Sequence, residues 1–128
     1  MKNNKGFTIV EILAVITIIA LIMLIAVPSV TNVIYKGKVR AYNTIISSVE
    51  AAAAAYALEM QYNSNSKLVY DENKQATITL KFMIDNKLIK GPFEDPINKV
   101  NIPLDSTIII TKIEKRFEAN FTYGDIIE

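Results

Sequence analysis

Residues 7–27 read FTIVEILAVITIIALIMLIAV, 21 residues in which Glu11 is the only charge and Thr8 and Thr17 are the only other polar side chains. A helix of that length rises about 30 Å, the thickness of a bilayer's hydrocarbon core. A secretory signal would be shorter and would end in a small-residue cleavage site, whereas this run ends in Pro28-Ser29-Val30. A plain membrane anchor fits the length but has no evident use for Glu11, since an ionised carboxylate in an apolar span costs on the order of 2 kcal/mol.

The remainder of the composition narrows the chemistry. The chain has 128 residues, 51% of them hydrophobic, with no cysteine and no histidine. Disulfides, thiolate chemistry, the usual zinc ligand sets and histidine-dependent triads are therefore excluded. No acid/base pair or nucleophile stands out, and the expectation is a protein that is not an enzyme and carries no cofactor. Net charge is +1 with dispersed basic residues, which is not the footprint of a nucleic-acid binder. The short cluster Lys36, Lys38 and Arg40 reads as a solvated or headgroup-facing patch.

The string Lys5-Gly6-Phe7-Thr8-Ile9-Val10-Glu11, after a basic start, resembles the cleavage and methylation motif of type IV prepilins and of the pseudopilins of type II secretion and competence systems. The resemblance covers about the first thirty residues. It implies that MKNNKG is a leader, that a membrane peptidase cuts after Gly6, that Phe7 is then N-methylated, and that Glu11 becomes the fifth residue and serves assembly. Pro28 falls where many members carry a proline and is expected to bend or locally melt the helix near residues 24–28. Elementary chemistry agrees with this assignment. Glycine lets an extended backbone enter a protease cleft, Lys2 and Lys5 favour a cytoplasmic leader, and cutting creates an ammonium one helical turn from Glu11. Whether that pair forms within a chain or between chains is left open by the sequence.

The function implied is structural: a single-pass cytoplasmic-membrane precursor assembled into a pilus or pseudopilus at the cell surface or in the envelope. Its partners would be other pilins in a homo- or hetero-polymer, the peptidase/methylase, an assembly platform with its ATPase, and membrane lipid, with no direct nucleic-acid contact. The alternatives are a competence pseudopilin for DNA uptake and a membrane-tethered binding domain that never polymerises.

Beyond the span, apolar or small residues recur at Val30, Val33, Ile34, Ala41, Tyr42, Ile45, Ile46, Val49, Ala52, Ala53, Tyr56, Ala57 and Met60, the stripe of a one-sided helix. This predicts one helix from about Phe7 to Tyr62, broken by Asn63-Ser64-Asn65-Ser66, with Gly37 as a second soft point. The organisation expected is leader 1–6, transmembrane helix 7–28, amphipathic continuation 29–62 and globular head 63–128. Within the head the pattern predicts a short strand at Leu68-Val69-Tyr70, a helix over Thr79–Leu88, and a hairpin of Thr107–Ile113 with Phe117–Tyr123 across Glu114-Lys115-Arg116. A third strand is expected at 99–103. The fold class is α+β, a long N-terminal helix packed on a small antiparallel sheet. Asp95, Asn98 and Asp105 stand where some related pseudopilins hold calcium. No EF-hand pattern accompanies them, and loop acids ordinarily cap turns or stay solvated, so no metal is expected.

Overall fold

The structure, a computed structural model, describes residues 4–63, 65 and 67–128. Its elements are α1 (Ile9–Met60), β1 (Gln75–Thr79), α2 (Leu80–Asp85), β2 (Thr107–Ile113) and β3 (Arg116–Phe121). The long helix and small antiparallel sheet give the α+β fold that the sequence predicts. Two compact units, Met1–Gly37 and Lys38–Glu128, divide the chain, with α1 running through both.

In the first unit every described residue is exposed. The helix there is long and apolar enough to cross a membrane. Two of its threonines bond back to their own helix, as an apolar solvent favours. The Thr17 hydroxyl donates to the Leu13 carbonyl at 2.7 Å and Thr31 to that of Pro28 at 3.0 Å. The chain stays helical through Pro28 and Gly37, so the local melting expected near residues 24–28 does not occur. Proline still supplies no N–H to the Leu24 carbonyl one turn earlier.

The second unit contains the core. Tyr42, Ile46, Val49, Ala53, Tyr56 and Ala57 form the buried stripe of α1 at the predicted spacing. They cluster with Ala76 and Ile78 of β1, Ile108 and Ile110 of β2, and Phe121 of β3. The sheet order is β1-β2-β3, antiparallel throughout. The register sets Ile78 beside Ile108 and Ile108 beside Phe121, so that alternate side chains of all three strands share the inner face. Leu80 and Met83 of α2 close the core and are fully buried.

Five predicted elements are corrected. The third strand is Gln75–Thr79, not 99–103, where only an isolated Glu94–Asn101 bridge forms. Ala76 and Ile78 alternate with Gln75, Thr77 and Thr79, a pattern masked by the helical spacing that begins at Thr79. Thr79 is in fact the N-cap of α2, its hydroxyl accepting from the Phe82 N–H at 3.1 Å. That helix ends at Asp85, well before Lys90-Gly91-Pro92, because Lys87 turns to a φ of 57°. Leu68–Tyr70 is not a strand, although Leu68 is buried. The hairpin forms as expected, but its loop is Glu114-Lys115, Arg116 pairs with Ile113, and β3 stops at Phe121, leaving Tyr123 outside it. Helix α1 ends two residues before Tyr62, where Tyr62 and Asn63 donate to carbonyls three residues back. Of the predicted breaker, Ser64 and Ser66 lie outside the described residues.

Candidate assembly site and the buried carboxylate of the head

Gly6 and Phe7 lie in the extended, exposed segment before α1, and Phe7 is 86% exposed. A Cβ built on Gly6 meets nothing within 4 Å. Packing therefore gives no reason for glycine at this position, and the main chain around the Gly6–Phe7 peptide is open to a second protein.

Two residues on, the helix start is built by a reciprocal pair. The Glu11 carboxylate accepts from the Thr8 N–H at 3.0 Å, and the Thr8 hydroxyl accepts from the Glu11 N–H at 3.2 Å. This is a capping box, Thr-x-x-Glu, which satisfies two backbone donors that a helix N-terminus otherwise leaves unpaired. The carboxylate also lies at the positive end of the helix dipole. A plain anchor would therefore have a use for Glu11 after all, since Glu11 starts its own helix. The sequence signal for this is the capping-box string Thr8-Ile9-Val10-Glu11. Both capping bonds involve atoms that a cut between Gly6 and Phe7 would leave intact.

Pro28 lies within the same helix, 17 residues beyond Glu11. Glu11 and Phe7 line one shallow apolar recess with Ile12, Val15 and Ile16. An apolar side chain from a neighbouring helix could lie there with a polar group beside the carboxylate.

The head has a separate polar centre, in which Asp95 caps a turn, as expected of a loop acid, but is buried rather than solvated. Asp95 is 1% exposed, and among the described residues it is the buried charged side chain. One carboxylate oxygen accepts from the N–H groups of Ile97 and Asn98 at 2.8 and 3.1 Å. The other accepts from the Asn98 side-chain amide at 2.8 Å and the Tyr123 hydroxyl at 3.0 Å. Burial alone would raise the Asp95 pKa, but these donors outweigh it and hold the carboxyl below its ordinary value. Tyr123 is pushed up by burial, then by its bond to Asp95 and the charges of Asp95 and Tyr42. Burial, followed by the negative charges of Asp95 and Asp125, does the same for Tyr42.

This donor set does not suit calcium. Four hydrogens already point at the Asp95 oxygens, Asn98 presents its N–H rather than its carbonyl, and Asp105 makes no bond to the pair. Among the described residues no group of three or more acids, histidines or cysteines converges.

With this geometry in view, the comparisons give one positive finding. The family model described as the prokaryotic N-terminal methylation motif matches residues 1–27, a stretch that includes Gly6, Phe7, the capping box and the apolar run. That motif is the hallmark of type IV pilins and pseudopilins, which are structural proteins rather than enzymes. No curated protein and no solved structure matches the chain. The chain is thus pilin-like by its N-terminal motif, and its apolar helix is consistent with membrane anchoring.

Proposed function

We propose that this chain is a structural subunit of a type IV pilus or pseudopilus, cut after Gly6, N-methylated at Phe7 and polymerised through α1. The observation that carries the proposal is the methylation motif over residues 1–27, coinciding with an exposed Gly6–Phe7 peptide and a carboxylate in the first turn of a lipid-length helix. In the precursor Glu11 is satisfied by Thr8. Cleavage creates an ammonium at Phe7, and in a low-dielectric phase a charge pair between neighbouring subunits favours lateral packing over isolation. Pro28 is the proposed bend that lets the helix adjust within the polymer. The assembly ATPase and platform, not this subunit, would supply the energy.

Gly6→Val tests the processing step cleanly, because the folded chain has open space for the added side chain. Mass spectrometry of the membrane fraction is expected to find wild type beginning at Phe7 and the variant untrimmed. Normal trimming of the variant would refute the leader assignment. Uncut, monomeric wild-type protein would point to a membrane-tethered binding domain instead.

A further inference from the structure

The head carries two complementary exposed features on different parts of its surface. One is a shallow groove with an apolar floor of Ala54, Ala55, Leu58 and Phe117 and a basic rim of Lys115 and Arg116 at the β2–β3 turn. The groove lies along the open edge of β3. The Thr122 N–H donates to the Thr107 carbonyl, which fixes the hydrogen-bonding phase of the hairpin, so Phe117, Ala119 and Phe121 turn their main-chain groups away from β2. Phe121 is covered from α1, its N–H donating to a Glu50 carboxylate oxygen at 3.0 Å, whereas no hydrogen bond of this kind reaches Phe117 or Ala119.

The other feature is the segment Asp125-Ile126-Ile127-Glu128, in which two acids flank two isoleucines. It has no regular secondary structure, yet it is held in place. The Asn43 side-chain amide donates to the Ile127 carbonyl at 2.7 Å and its oxygen accepts from the Ile127 N–H at 2.9 Å. This two-point grip copies the pairing of a β-ladder and leaves Ile126 53% exposed. Ile126 borders α1 between Asn43 and Ala51. Leu58 lies seven residues, about 10 Å, beyond that stretch, so a subunit's own segment does not occupy its own groove. Among the described residues none of Lys115, Arg116, Asp125 and Glu128 takes part in an ion pair, since the ion pair present is Lys99–Glu94.

We infer that the Asp125–Glu128 segment of one copy docks in the Leu58/Phe117 groove of a second copy, with Ile126 on the apolar floor and its flanking acids against Lys115 and Arg116. The occupant is a second copy because the acidic, apolar segment and the basic, apolar groove complement each other in charge and in apolar character and belong to the same chain. Segment and groove are different patches, so the contact is heterologous. Repetition of such a contact builds an open chain of subunits rather than a closed dimer. The inference deepens and rests on the polymer reading above, adding a head-to-head contact to assembly through α1.

The chain contains no cysteine, so an engineered pair reports on this contact without background. The full chain carrying Leu58→Cys and Ile126→Cys is reconstituted in lipid vesicles and mildly oxidised. A ladder of dimer, trimer and higher species is expected on a non-reducing gel. A control pair, Val69→Cys with Ile126→Cys, is expected to give no ladder, because Val69 is exposed but lies outside the groove. Lys115→Glu with Arg116→Glu should lower the ladder by about fivefold or more, and adding Asp125→Lys with Glu128→Lys should restore it. Equal cross-linking by the control pair, a product that stops at dimer, or no rescue by the double charge swap would overturn the inference. Filaments sheared from cells that lack the 58–126 disulfide would sink this contact while leaving the polymer reading intact. A ladder in vesicles from a chain that cells neither trim nor polymerise would do the reverse.

Discussion

The two halves of α1 share one helical geometry but face two different surroundings. Up to Gly37 every described residue is exposed, isoleucines and leucines included, while from Tyr42 to Ala57 one stripe is buried against the sheet. The first half buries nothing within the subunit, so its apolar surface must be covered by lipid or by other helices. The second half gains its stability from the head. The proposed assembly through α1 depends on this division, because a surface satisfied at home could not also drive association.

Core substitutions should break the comparison most sharply. Phe121→Ala, at a side chain 1% exposed, should destabilise the head by roughly 3–5 kcal/mol in urea unfolding of the detergent-solubilised chain. Ile18→Ala, 57% exposed in the first half, should leave that transition within about 0.5 kcal/mol. Equal effects would mean that the first half packs on the head after all.

Next in size is the buried carboxylate. Tyr123→Phe removes a donor to a charged group and should cost about 1.5–3 kcal/mol. The Asp95 pKa is lowered in the folded chain, so its contribution is fully present above the ordinary, unfolded carboxyl value of about 4 and is lost as pH falls through the lower folded value. Wild type should therefore lose head stability below about pH 4, and Tyr123→Phe, whose folded Asp95 pKa lies closer to the unfolded value, should lose less over the same range, measured by urea unfolding at each pH. Smaller still, Thr8→Ala removes the N-cap and should cost about 1 kcal/mol, confined to the first turn and read by amide exchange there. At the hairpin, Glu114 sits at a φ of 52°, and Glu114→Gly should stabilise the head by about 1 kcal/mol or less.

How far the sequence revealed these features depends on how local their causes are. Hydrophobic periodicity carried the long helix, its buried stripe and the hairpin, because each signal repeats over many residues. Gly6, Phe7 and Glu11 are legible as parts of a motif, and the family model matches that motif over residues 1–27. Strand β1 was hidden because Thr79 ends a strand and caps a helix at once, so a single residue served two patterns. The turn cap of Asp95 is the expected role of a loop acid, but its burial is not legible, because its partner Tyr123 lies 28 residues away and beyond the end of β3. No local pattern announces such a pairing, nor the grip of Asn43 on Ile127 across 84 residues.

The central claim is that the charge of Glu11, beyond its capping of α1, directs assembly. Glu11→Gln separates the two roles, because the glutamine carbonyl can still accept from the Thr8 N–H but cannot pair ionically with the Phe7 ammonium. Filaments sheared from cells should be lost in Glu11→Gln as completely as in Glu11→Ala. Wild-type amounts of filament from Glu11→Gln, with loss only in Glu11→Ala, would show that the residue acts as a helix cap and would contradict the account.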